Sequence, residues 1–446
     1  MIVLKRLKIA ILLSLIIVSF SNVVLSNAIR FDGKIHKNVY VRNIDLSNLS
    51  KEEAIEKINK ALKYNDCFSL KLNDKEYDFY KESIDVNYNV DDLVEEAYQV
   101  GRNNGIISNM RIKVDLNLGH KIILDYGFTY NEKKLENYLN FIYENIYTKP
   151  VNSSIRIKEG NIVVSKEKYG YKLDKDKLKS IILSKIENID NNDEEIPIIK
   201  IKPHYLYNQL IKVNDVLGSF ETYFNPKNEN RSNNISLASS ATSNILLEKG
   251  EVFSFNANIQ NSHINKYLKE APVIVNGKQE KGIGGGMCQV SSTIYNAALY
   301  ADMDIINVKN HSIPSPYIEK GRDATVSGGF IDLKFSNKFA TPIFIYNKIS
   351  GNKITSTIYG NKKDNLDIGI ITKVTDIINN KTVRENSEEY PLGEKVIVQE
   401  GRKGYKVETY RVYKNSHLGN KTEYISESYY PPQDKIVIYG TREERK

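Results

Sequence analysis

One of the chain's two cysteines sits where its glycines crowd together, in Gly282-Ile283-Gly284-Gly285-Gly286-Met287-Cys288-Gln289. Clustered glycines open backbone conformations closed to other residues and let a ligand approach the main chain. Downstream, Ile294, Ala297, Ala298 and Ala301 recur at helical spacing, so Cys288 is expected to open a helix. There the helix dipole and unpaired N–H groups favour a thiolate. A helix from Gln289 to Tyr300 rises about 18 Å at roughly 1.5 Å per residue. The strand-like run from Met303 to Asn310 covers about 26 Å at roughly 3.3 Å per residue, which brings His311 back level with Cys288. Asp323 lies on a second strand-like run past Pro314, Pro316 and Gly321, and Asp332 follows Gly328-Gly329. Cysteine, histidine and acid in this order suit a nucleophile, its base and an orienting carboxylate, Asp323 or Asp332. Gly284, Gly285, Gly286, Gln289 and Arg322 are expected on the substrate side, with Gln289 helping an oxyanion or capping the helix.

Plainer readings stand beside each residue. Cys288 could be a small buried hydrophobe, His311 could satisfy loop carbonyls, and Asp323 could pair with Arg322. Ser291, Ser292 and Thr293 read as first-turn polar residues. A bridge from Cys67 to Cys288 would abolish a thiol mechanism. No HExxH or paired CxxC occurs, and the glycine run lacks the Lys-Ser/Thr of a phosphate loop. No metal, cofactor or nucleotide is therefore expected.

The elements that must position these residues belong to a chain too long for one ordinary domain, with room for three or four units of roughly 70–150 residues. The expected class is α+β multidomain. Residues 1–28 read as a signal peptide or membrane anchor: Lys5, Arg6 and Lys8 precede an apolar run from Ile9 to Phe20. That places the rest of the chain outside the cytoplasm and limits membrane contact to this segment. The net charge of +8 is too evenly spread to suggest nucleic acid.

Residues 29–207 show an α+β rhythm that reads as an imperfect duplication. Ser50-Lys51-Glu52-Glu53 is a capping box, strands are expected near Ile112–Leu118 and Ile122–Leu124, and helices near Glu132–Tyr147 and from Asp174. A helix is expected at about Ile235–Leu247 within residues 213–360. From Leu366 the pattern turns to β, with alternation through Val407, Thr409, Arg411 and Tyr413.

The run Gly284 to Ala298, then His311-Ser312, then Gly321-Arg322-Asp323-Ala324-Thr325-Val326, closely resembles the VanW family, as does Gly250-Glu251-Val252-Phe253-Ser254-Phe255-Asn256. Lys249 and Lys309-Asn310 depart from that family's pattern. Ile44-Asp45-Leu46-Ser47, Glu95 to Arg102 and Gly170 to Asp174 resemble the peptidoglycan-binding domains found upstream of VanW domains. Residues 367–441 resemble a G5 domain. The resemblance implies an exported wall protein whose partner is peptidoglycan or another wall polymer. The expected function is Cys-dependent acyl transfer or hydrolysis on wall peptides; the alternative is a non-catalytic wall-binding or adhesion scaffold. A role in vancomycin resistance is implied by the family's name alone.

Overall fold

The structure is a computed structural model that describes residues 33–443 except Asn65, Tyr126, Asn276, Gly277 and residues 415–420. The signal or anchor segment expected at 1–28 lies outside the described residues. Among the described residues no helix is long and apolar enough to cross a membrane. The chain forms two compact units: one runs to Pro150 and resumes over Tyr169–Lys202, and the other takes Val151–Lys168 and everything from Pro203.

In the first unit, β1 (Val39–Val41) pairs with β2 (Ile44–Asp45). Next comes α1 (Lys51–Tyr64), opened by the expected capping box: Glu53 N–H donates to Ser50 Oγ (3.2 Å) and Ser50 N–H to Glu53 Oε2 (2.8 Å). The hairpin β3 (Cys67–Leu72) and β4 (Lys75–Tyr80) precedes α2 (Val90–Gln99) and α3 (Ile106–Asn117). The strand expected at Ile112–Leu118 is thus helical. Ile112 and Leu116, four apart, turn inward, while Val114 and Leu118, which made the sequence seem to alternate, are exposed. β5 (Ile122–Leu124) runs parallel to β1, and α4 (Glu132–Ile146) buries Leu135, Leu139, Ile142 and Ile146.

The hairpin β6 (Ile155–Lys158) and β7 (Asn161–Val164), placed by sequence within 29–207, belongs to the second unit. There Ile155 packs with Leu210, Val213, Phe344 and Tyr359. β8 (Gly170–Leu173), α5 (Lys175–Asn188), β9 (Glu194–Glu195) and β10 (Ile198–Ile201) complete the first unit.

The second unit continues with the short α6 (Tyr207–Leu210), β11 (Asp215–Tyr223), α7 (Glu229–Ala241) and β12 (Ile245–Leu247). The helix expected at Ile235–Leu247 starts and stops earlier: Asn228 caps α7, and Asn244 at φ +59° turns the chain into a strand. β13 (Val252–Ser254), α8 (Phe255–Asn261) and the hairpin β14 (Glu270–Val275)–β15 (Lys278–Ile283) lead into α9 (Met287–Tyr300). After it come β16 (Asp304–Asn307), β17 (Lys334–Ser336), β18 (Ile343–Ser350) and β19 (Lys353–Gly360). The antiparallel sheet β11–β19–β18–β12 carries α9 on one face. Val290, Ile294 and Leu299 are fully buried, each contributing roughly 1.5–3 kcal/mol. Close approach needs Gly218, whose hypothetical Cβ would lie 2.5 Å from the Ala297 carbonyl oxygen.

The C-terminal module is all β. β20 (Asp367–Ile378), β23 (Gly404–Lys414) and β24 (Thr422–Tyr430) form one sheet. β21 (Thr382–Pro391), β25 (Lys435–Arg442) and β22 (Lys395–Gln399) form the other.

Candidate active site

Cys288 lies in the first turn of α9, entered through Gly286 at φ +109°. The glycines before it answer to packing. A Cβ on Gly285 would stand 2.6 Å from the Pro272 carbonyl oxygen, and one on Gly286 would stand 2.8 Å from Ile235 Cγ1. Gly284 takes φ +84° with Met287 Sδ 3.0 Å from its would-be Cβ. Gly284, Gly285 and Gly286, expected on the substrate side, thus form a close-packed turn that seats the helix start against α7 and β14.

From Arg322 to Val326 the chain runs extended along α9. Asn296 Nδ2 donates to Arg322 O (2.8 Å), Ala324 N–H donates to Ser292 Oγ (2.9 Å), and Val326 N–H meets Cys288 Sγ (3.5 Å). Four helical residues rise about 6 Å and two extended residues cover about 6.6 Å, so the two ladders stay in step. Alternation then turns Asp323 away from the helix, toward His311. Neither His311 nor Asp323 lies on a strand, contrary to the expectation. His311 comes four residues past β16 in a proline-punctuated loop, where side-chain bonds replace a sheet ladder.

His311 and Asp323 are both buried. Asp323 Oδ2 accepts the His311 backbone N–H (2.7 Å) and lies 2.6 Å from Nδ1, with Ser315 Oγ 3.2 Å from the same nitrogen. Burial alone would push the imidazole down, but its hydrogen bonds to Asp323 and Cys288 and their charges raise it to about 10. The ring thus holds its proton at neutral pH, with Nδ1 committed to Asp323. The Cys288 thiol lies within electrostatic reach of the ring, while its well-formed bonds are with Val326: it donates to the carbonyl at 3.4 Å. Both cysteines are free.

Two further side chains lie within electrostatic reach of the thiol. Arg231, in the first turn of α7, has no ion pair or side-chain hydrogen bond among the described residues, and a Cβ on Gly286 would lie 3.2 Å from its Cγ. Burial lowers its pKa, opposed by Tyr317 and Cys288. The Tyr317 hydroxyl is buried without a well-formed partner; burial and the Cys288 charge raise it, with Ser315 and Ser292 tempering the shift. Sequence reading missed both. Arg231 lies inside the polar, turn-rich stretch Asn225 to Asn234 with nothing local to mark it, whereas Tyr317 beside Pro316 could have been flagged as a turn aromatic close to His311.

Two other expectations are corrected. Gln289 is buried, and its Nε2 donates to Tyr223 O (2.8 Å) and Thr222 Oγ1 (3.1 Å), tying α9 to β11. Arg322 turns inward: Nε donates to Asn296 Oδ1 (2.7 Å) and the guanidinium stacks 4.7 Å from the Phe220 ring centroid. Neither reaches a substrate side. Asp332 accepts from Ser254 Oγ (2.6 Å) and Asn256 N–H (2.9 Å) at the start of α8, leaving Asp323 as the histidine's partner. An open polar cleft of about 670 Å³, lined by Asn228, Glu229, Glu270 and Lys281 among others, is not lined by Cys288, His311 or Asp323.

The fold and site define a multidomain α+β protein with a cysteine–histidine–aspartate cluster in a central domain followed by an all-β module. Residues 230–359 match the model described as VanW like protein, residues 77–193 one described as "Putative peptidoglycan binding domain", and residues 370–442 the G5 domain. An uncharacterized protein, YoaR of Bacillus subtilis (strain 168), is 35% identical over 228 residues, covering 51% of this chain and 74% of YoaR. The Vancomycin B-type resistance protein VanW of Enterococcus faecalis (strain ATCC 700802 / V583) is 31% identical over 140 residues, 30% of this chain and 51% of that protein. The chain belongs to the VanW-like family. Among solved structures, the IgA1 protease G5 domain is 23% identical, covering 17% of this chain and 92% of that one at TM-score 0.15. HP0197-G5 is likewise 23% identical, covering 17% and 99% at TM-score 0.12. The order of modules, wall-binding type, VanW-like and G5, is consistent with cell-wall association.

Proposed function

We propose that this chain works outside the cytoplasm at the cell wall, and that its VanW-like domain is a thiol site acting on acyl groups of peptidoglycan stem peptides. The observation that carries the reading is the buried His311–Asp323 pair, bonded through Nδ1 at 2.6 Å, with Cys288 within electrostatic reach of the ring. A histidine that keeps its proton to about 10 enters the reaction as a general acid. Cys288 Sγ, as the thiolate partner of that imidazolium, forms a bond to the peptide carbonyl carbon. The carbonyl oxygen takes the charge beside the Cys288 N–H, since the neighbouring Met287 and Gln289 N–H groups are already bonded to Gly284 O and Gly286 O. The C–N bond then breaks, and the amine leaves with the proton from His311. Water, or an acceptor amine for transfer, gives its proton back to His311 and releases the thioester.

Intact-mass measurement of the full chain after incubation with stem peptides tests this. A thioester adduct should appear on Cys288, be absent in Cys288→Ser, and accumulate when water attack is slow. No adduct and no released amine with any wall peptide would sink the reading.

One observation favours a scaffold instead: the Cys288 thiol is satisfied by Val326 on both its donor and acceptor sides. In that reading the VanW-like domain holds wall polymer without chemistry, and wall binding survives Cys288→Ser unchanged.

A further inference from the structure

The C-terminal module reaches the back of the thiol site. Tyr430, at the end of β24, is 0% exposed. Its hydroxyl accepts the Gly321 N–H (2.8 Å) and donates to Asp323 Oδ1, the carboxylate oxygen that His311 leaves free. Beside it, Thr409 Oγ1 donates to Gly321 O (2.8 Å), and Asn310 Nδ2 donates to Tyr429 O (2.8 Å). Gly321 is a glycine because of this module. At φ +87°, its hypothetical Cβ would lie 2.8 Å from Thr409 Oγ1 and 3.0 Å from Val407 Cγ1.

A second anchor grips the far end of α9. Arg411, 1% exposed, donates through Nε to Leu299 O (3.0 Å) and through Nη2 to Met303 O (2.9 Å), and pairs through Nη1 with Asp302 Oδ1 (3.0 Å). A cation at a helix C-terminus complements the dipole, and a charge buried this completely requires its partners in place. A module that swung free would leave Arg411 with Glu423 alone and Asp302 with Lys338 alone, and would lose both helix-end carbonyl bonds.

We infer that the G5 module is a structural part of the thiol site, and that Tyr430 is a positioning residue that holds the Asp323 carboxylate so that Oδ2 faces His311. Both His311 bonds fall on one oxygen, so rotation of the carboxylate would break both at once. The Tyr430 hydroxyl, itself pinned by Gly321 N–H, blocks that rotation with a charge-assisted bond. The inference rests on the thiol-site reading.

The test uses the full chain with Cys67→Ser and follows iodoacetamide labelling of Cys288 against pH. Tyr430→Phe removes one oxygen and keeps the ring that fills the core. It should slow labelling at pH 7 about tenfold and displace the inflection set by His311. Thr409→Val cuts a neighbouring bond of the same interface without touching Asp323; it should lower Tm but leave the rate within twofold. In an Asp323→Ala background, Tyr430→Phe should have no further effect, since coupled residues are not additive. A Tyr430→Phe rate equal to that of Thr409→Val, or a full additional loss in the Asp323→Ala background, overturns the inference. If His311→Ala and Asp323→Ala also leave the rate unchanged, the thiol-site reading itself fails and takes this inference with it.

Discussion

The two cysteines of this chain stand in opposite surroundings. Cys67 opens β3 and is exposed; partial desolvation, a hydrogen bond to Asp66 and the charges of Asp66 and Asp78 push its thiol up, with Lys81 opposing. Cys288, half-buried at the start of α9, has a protonated imidazole and an arginine among its neighbours. The more accessible sulfur thus has acidic company that disfavours a thiolate, while the less accessible one has cationic groups within electrostatic reach. Charge placement, more than exposure, separates a reactive thiol from an inert one.

The largest effect should come from His311. In His311→Ala, labelling of Cys288 at pH 7 should fall about 100-fold, within the usual range for losing an acid–base partner. Cys67, followed separately by peptide mass, should not change. Equal loss at both cysteines would erase the contrast.

The same residue sets a pH signature. The folded-state pKa of His311 lies above its ordinary value, at about 10 against 6.5. Its stabilisation is complete below the ordinary value and declines as pH rises from there through about 10. The Tm gap between the parent chain and His311→Gln should therefore narrow from pH 6.5 to pH 10, which thermal melts would show.

Arg231 offers a smaller and more selective effect. A cation within electrostatic reach of the thiol should draw an anionic reagent, so Cys288 should favour iodoacetate over iodoacetamide relative to Cys67. Arg231→Gln should cut that ratio about threefold to tenfold, and a ratio unmoved by the substitution would remove Arg231 from the site.

The contrast between the cysteines was only half legible in the sequence. The glycine run, the helix and the order Cys288, His311, Asp323 were readable, because local spacing fixes what a helix start and a returning segment can bring together. The strand expected to carry His311 is a loop, since Pro314 and Pro316 cannot donate to a ladder and side-chain bonds hold the segment instead. The four-residue rhythm of Cys288, Ser292 and Asn296 against the two-residue rhythm of Arg322, Ala324 and Val326 was a signal in plain view. It would have assigned Arg322 to the helix and Asp323 to the histidine.

The sequence by itself determined the modules, their order, the α+β class and the thiol candidate, because periodicity, caps and glycine runs act over a few residues. Only the tertiary structure decided what surrounds that thiol. Tyr430 lies more than a hundred positions from Asp323 in the chain, and Arg231 more than fifty from Cys288. No local pattern encodes such meetings: they follow from the packing of α7, α9 and the C-terminal sheet, where burial strengthens each charge and hydrogen bond and makes an unpaired one costly.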